Sequence, residues 1–218
     1  MTDAYPYLLV VVEGPSEVVR SSQGFRGVVV RLIGTVFGPE AAAALATQYI
    51  RHVTPSPRRS QRDAPPPTLT GYALKAWIAA SVGDKTTAYG TVIVVDADGD
   101  GAARLEALRS GAEASGCRAR VALGVATQMV EAWLLADPTL LGLLLPAGKR
   151  AEALWGAKHD GASDYPKHVL RRCVLEPRGW SYPDVEAQWT PMAARGNAPS
   201  LDAFLTKLEA LARSQGVA

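Results

Sequence analysis

The chain holds only two cysteines, Cys117 and Cys173, and three histidines, His52, His159 and His168, in 218 residues. None of these stands at the spacing of a zinc site, and two distant thiols make no disulfide framework, so reduced cysteines are expected. No apolar run approaches the roughly 20 residues that a membrane-spanning helix needs. Met1-Thr-Asp-Ala lacks the basic region and apolar segment of an export signal. Together these absences predict a cytoplasmic protein with no membrane partner. Excess charge of one sign is lacking too. A net charge of +2 sets up no strong global field, so any polyanion must be held by local patches. Ser16 lies outside any Gly-x-Ser-x-Gly context, which excludes that type of nucleophile elbow. No internal repeat occurs, and no phosphate-binding Gly-x-x-x-x-Gly-Lys-Ser/Thr loop is present.

What is present begins with Tyr7-Leu-Leu-Val-Val-Val-Glu-Gly-Pro-Ser-Glu17. An unbroken apolar run stopped by a turn signal suits a strand buried on both faces. Glu13 then falls at the strand's carboxyl end, the usual side for ligands in open α/β sheets. Pro15-Ser16-Glu17 reads as the start of a helix, with Ser16 as N-cap and Glu17 at the positive end of the helix. Phe25, Val29, Leu32, Ile33 and Val36 continue at helical spacing until Gly38-Pro39. An alanine-rich helix over 40–45 and a short strand over 49–53 follow.

Residues 54–69 change character, with Pro55, Pro57 and Pro65-Pro-Pro67 interleaved with Arg58, Arg59 and Arg62. Proline at this density excludes regular structure. Its arginines are candidates for phosphate contacts, and the alternative is a solvated insertion. A helix is expected over 72–82, then a second buried strand ending in Thr91-Val-Ile-Val-Val-Asp-Ala-Asp-Gly-Asp100. A crossover helix over 102–114, a strand over 118–125 and a helix over 128–137 complete a βαβ pattern with a parallel sheet. Beyond Pro146 the pattern is irregular, with helices expected over 167–175 and 200–213. The domain reading is an α/β core over 1–145 and a mostly helical C-terminal extension over 146–218, packed on the core.

Asp96, Asp98 and Asp100 stand at alternate positions where a strand leaves the sheet. Ionised aspartates in close quarters repel unless a cation joins them, and hard oxygen ligands favour Mg²⁺ or Mn²⁺. The run also matches the start of an EF-hand loop, but its twelfth position is Ala107 rather than Glu. A phosphatase of the haloacid-dehalogenase type also carries Asp-x-Asp-Gly after a strand, with Asp96 as nucleophile and Asp98 as general acid. In that family Thr or Ser usually follows the glycine, where this chain has Asp100.

Glu13-Gly14 closing one strand and Asp96-x-Asp98 closing a later one resemble the Toprim domain of topoisomerases, bacterial primases and several nucleases. The longer Val-Glu-Gly-Pro-Ser-Glu form resembles the overcoming-lysogenization-defect nucleases. Val125-Ala-Thr-Gln-Met-Val-Glu-Ala-Trp-Leu-Leu-Ala-Asp137 resembles the Glu-x-Trp-Leu-Leu segment of a Toprim-like family often found near bacterial defence genes. Tyr165-Pro-Lys167 and Ala198-Pro-Ser-Leu-x-x-Phe204 resemble later parts of that pattern.

The resemblance implies a Rossmann-like Toprim fold and a Mg²⁺- or Mn²⁺-dependent nuclease acting in defence against phage or foreign DNA. Asp96 and Asp98 would bind the cation, with Glu13 as a further ligand or as general acid/base. Glu17 would complete a first metal site, and Asp100 or Glu131 would support a second. Lys167 would face the developing charge on phosphorus, and Arg171 and Arg172 would join Arg58, Arg59 and Arg62 on nucleic acid, DNA before RNA. A separately encoded ATPase is the implied protein partner. Plainer roles stay open beside these: a helix-start carboxylate for Glu17, a turn residue for Asp100, a polar face for Glu131, and a solvated basic face for Lys167, Arg171 and Arg172.

Overall fold

A computed structural model describes residues 8–13, 17–22, 24–45, 50–52, 90–97, 101–114, 120–127, 130–140, 166 and 170–214. In chain order these form strands β1 (Leu8–Val12), β2 (Val19–Ser21) and β3 (Gly24–Arg26), helices α1 (Val28–Phe37) and α2 (Pro39–Ala43), strand β4 (Ile50–His52) and strand β5 (Gly90–Asp96). Helix α3 (Gly101–Ala114), strand β6 (Val121–Ala126) and helix α4 (Glu131–Leu135) follow. A π-helical stretch (Leu170–Leu175) then leads into α5 (Glu176–Arg178), α6 (Tyr182–Gln188), α7 (Pro191–Arg195) and α8 (Pro199–Ser214).

The apolar run of β1 is buried along its whole length, as a strand flanked on both sides and covered on both faces must be. It pairs in parallel with β4 on one edge and β5 on the other, and β5 pairs in parallel with β6. The result is a four-stranded parallel sheet in the order β4-β1-β5-β6, flanked by helices. The chain steps outward from β1 to β4, then crosses back to place β5 on the opposite side of β1. The order therefore reverses between β1 and β5. Connections diverge at such a reversal and open a crevice beyond the carboxyl ends of the strands. Val12 is in register with Val94, so Glu13 and Asp96 leave the sheet at this crevice from adjacent strands.

Alternation along the strands sorts the core onto two faces. Leu8, Val10, Val12, Val92, Val94 and Ala122 point into a core shared with Leu32 and Ile33 of α1, Trp133 and Leu134 of α4, and Leu201, Phe204, Leu205 and Leu208 of α8. Leu9, Val11, Ile93, Val95 and Leu123 point the other way and pack on Ala107 and Leu108 of α3. Helix α8 lies directly on the sheet. A Cβ at Gly124 would come within 2.7 Å of the Phe204 ring, and one at Gly90 within 3.0 Å of Leu211. The C-terminal segment thus shares the main core of the sheet. Its α7 and α8 are also joined by Arg195, which pairs with Asp202 at 2.6 Å and with Glu209.

Two expectations need correction. The helix expected to start at Ser16-Glu17 does not: Glu17 lies in a turn, and β2 and β3 form an antiparallel ribbon before α1 begins at Val28. Gly24 and Gly27 decide this, with φ of 113° and 125° that side-chain-bearing residues rarely adopt. Of the helix expected over 128–137, the described residues 130–137 form helix over Glu131–Leu135, with Gln128 and Met129 outside the described residues. Downstream, α6 and α7 have no counterpart in the expected pattern. Each starts with proline in its first turn behind a Ser or Thr N-cap, a start signal on segments too short to show periodicity. The helix expected over 72–82 lies outside the described residues.

Candidate functional site

At the crevice, Glu13 is held from two sides. Its Oε1 pairs with Arg104 Nη2 at 3.0 Å, and its Oε2 accepts the Asp96 N–H at 2.9 Å. Arg104, in the first turns of α3, is only 1% exposed and also donates to the Asp96 carbonyl. One guanidinium therefore ties the end of β1 to the end of β5. Asp96 in turn accepts the Val130 N–H on Oδ1 at 3.0 Å, which orients its carboxyl toward the start of α4. Glu131, the first residue of α4, is buried, and its Oε1 accepts the Tyr182 hydroxyl at 2.9 Å. Glu17 is buried as well. Its carbonyl accepts the Val29 N–H at 3.0 Å, and a Cβ on Gly27 would collide with that same carbonyl oxygen. Only glycine permits this close crossing, so Gly27 places Glu17.

The electrostatics show how near these acids are to one another. Burial raises the Asp96 carboxyl from 3.8 to about 9, and negative charge on Glu17, Glu13 and Glu131 adds to the rise against the Val130 hydrogen bond. Tyr182 is driven well above the ordinary tyrosine range, by burial first and then by Glu131, so it stays a proton donor. Yet among the described residues no three His, Cys, Asp or Glu side chains are gathered into a finished ion-binding set. These observations are compatible. The acids sense one another through a poorly solvated space, while Glu13, Asp96 and Glu131 spend oxygens on Arg104, Val130 and Tyr182.

Glu13, Glu17, Asp96 and Glu131 are thus brought to one crevice from four separate segments. Asp98, Asp100, Lys167, Arg58, Arg59 and Arg62 lie outside the described residues, as does the side chain of Arg172. Arg171 is exposed and pairs with Glu176 at 2.9 Å. The plainer readings of two residues are overturned. Glu17 is no helix-start carboxylate, and Glu131 is no solvated polar face, since each is only 3% exposed.

Sequence reasoning missed Arg104 and Tyr182. A cation in the opening turns of a helix runs against the helix dipole, and that anomaly was the available signal for Arg104. Tyr182 carries no local signal, because its partner lies 51 residues away in sequence. Asp137 was missed as a strut. Fully buried, it accepts the N–H groups of Thr139 and Leu140 on one oxygen and that of Thr190 on the other, at 2.8, 3.2 and 2.7 Å.

The fold and site define an α/β protein with a parallel sheet and a partly buried acidic cluster at its strand-order reversal. No family model, curated protein or solved structure matches this chain. No helix among the described residues is long and apolar enough to cross a membrane.

Proposed function

We propose that this protein is a metal-dependent nuclease of the Toprim type, hydrolysing phosphodiesters with the acids at the ends of β1 and β5. The observation that carries the reading is the place of Asp96, a half-buried carboxyl at the end of β5, raised to about 9 with three further acids acting on it. Such a cluster is costly without a cation, and its all-oxygen donors suit Mg²⁺ or Mn²⁺ rather than a softer metal. Asp96, Glu17 and Glu131 would hold the ion, joined by Asp98 two positions along the chain from Asp96. Bound there, a hard divalent cation would activate water and neutralise charge on the phosphodiester.

The chain's own residues prepare that chemistry. Arg104 fixes Glu13, and through it the backbone at Asp96. Val130 sets the Asp96 rotamer, and Tyr182 holds one oxygen of Glu131. The role in defence against phage or foreign DNA, and an ATPase partner from a separate chain, rest on the sequence resemblance.

One observation favours a second reading, in which the protein is a regulatory subunit that binds nucleic acid or a partner ATPase without cleaving. Arg104 already neutralises Glu13, which reduces the negative charge left for a cation. Cleavage of plasmid and single-stranded DNA with Mg²⁺ or Mn²⁺, compared between wild type and Asp96→Ala, separates the two. Metal-dependent cleavage lost in the variant supports the nuclease. Metal binding without cleavage in the wild type selects the regulatory subunit, and absence of both sinks the catalytic reading.

A further inference from the structure

Lined by none of the four acids, an open cavity of about 590 Å³ lies between the β2–β3 ribbon, α1, α2, and α6 with α7. Its volume falls in the range of small-molecule sites, roughly 300–1,000 Å³. Phe25, Val30 and Pro191 contribute apolar wall, and the charged side chains on it are Arg26, Arg31 and Glu186.

One carboxyl on this wall has no side-chain partner among the described residues. Glu186 is 9% exposed, and its carboxyl makes no hydrogen bond or ion pair among the described residues, although its backbone carbonyl accepts the Trp189 N–H. Burial raises the Glu186 carboxyl to about 7 even though Arg26 and Arg31 pull it down. Buried polar groups in folded proteins are satisfied as a rule, and exceptions call for an explanation. An occupant complementary to this wall brings an apolar body, hydrogen-bond donors for Glu186 and negative charge for the arginines.

We propose that this cavity binds a purine nucleotide with a guanine-type base, its paired N–H donors on Glu186 and its phosphate on Arg26 and Arg31. A guanine edge places two N–H donors side by side, which matches both oxygens of one carboxylate. Adenine offers a donor beside an acceptor, and the pyrimidines fill less of the apolar wall. Arg31 is positioned for this role because its Nη2 donates to the Trp189 carbonyl at 3.3 Å, which holds the guanidinium at the cavity rim. A free nucleotide and one unpaired residue of an oligonucleotide present the same chemistry. The inference is independent of the nuclease reading.

The test is calorimetric titration of the full chain, in metal-free buffer, with GMP, AMP, CMP, UMP and guanosine. GMP is expected to bind at least about tenfold more tightly than the other three nucleotides, the scale of one lost charge-assisted hydrogen bond. Glu186→Gln should remove that preference, and Arg26→Ala should bring GMP close to the affinity of guanosine. Thr35→Trp, a change at an exposed helix position on the rim, should block all binding, with circular dichroism verifying the fold. A single strand ending in an unpaired guanine then identifies the source. Displacement of GMP by it supports a nucleic-acid residue as ligand, and GMP binding that it leaves intact supports a free nucleotide. No GMP binding at millimolar concentration overturns the proposal. So does equal affinity for all four nucleotides that survives Thr35→Trp.

Discussion

Asp96 and Arg104 carry opposite electrostatic problems, and each makes its own prediction. The Asp96 carboxyl titrates near 3.8 in the unfolded chain and at about 9 in the fold, so the folded state binds its proton more tightly. Stability of the metal-free protein should therefore fall as pH rises from about 4 to about 9, because the unfolded chain gives up that proton first. Asp96→Asn is expected to raise the melting temperature at pH 8 and to flatten this pH dependence. Thermal melts in EDTA across that range measure it, and an unchanged slope would show that Asp96 is not protonated in the fold. Added Mg²⁺ should stabilise the wild type more at pH 8 than at pH 6, and Asp96→Asn should lose that effect. Arg104 is a buried cation whose counter-charge is Glu13. Removing one partner of a buried pair typically costs about 3–5 kcal/mol. Arg104→Met should lower the urea-unfolding free energy on that scale, whereas a loss under about 1 kcal/mol would mean that solvent already screens the pair.

Elements place these residues where no local pattern could. The β2–β3 ribbon brings Glu17 into the crevice only because Gly27 crosses its carbonyl with φ of 125°. Gly27→Ala meets both a collision and a disfavoured backbone, a strain on the order of 1–3 kcal/mol from the backbone alone. It should destabilise the fold and abolish any cleavage, as chemical denaturation and a plasmid assay would show. Helix α6 delivers the Tyr182 hydroxyl to Glu131 from a distant part of the chain. Tyr182→Phe leaves a buried carboxylate short of a donor, at a cost of about 1–3 kcal/mol. If Tyr182 orients Glu131 for a cation, the variant should also weaken Mg²⁺ binding in calorimetry. Unchanged affinity would reduce the tyrosine to a purely structural contact.

At the scale of the whole molecule, the C-terminal helix belongs to the core of the sheet. Leu201, Phe204, Leu205, Leu208, Leu211 and Ala212 of α8 are buried, and Phe204 stacks on Trp133 at 5.6 Å between ring centroids. Burying a large apolar side chain contributes about 1.5–3 kcal/mol, so the five large residues together rival the roughly 5–15 kcal/mol net stability of a typical domain. A chain ending before Pro199 should therefore lose its near-ultraviolet circular dichroism and become rapidly proteolysed. A stably folded truncation would show instead that α8 is detachable from the sheet. The sequence by itself determined the parallel strands and the position of Glu13 and Asp96 at their ends, because continuous apolar runs and abrupt charges are local signals set by burial on both faces of a strand. It also marked α1 and α8, whose apolar stripes repeat at helical spacing. Only the tertiary structure decided that Arg104 neutralises Glu13, that Tyr182 reaches Glu131, and that the chain after Glu17 turns as a ribbon. Those outcomes depend on side chains and glycine backbones meeting across long sequence separations, where a one-dimensional pattern holds no record of the approach.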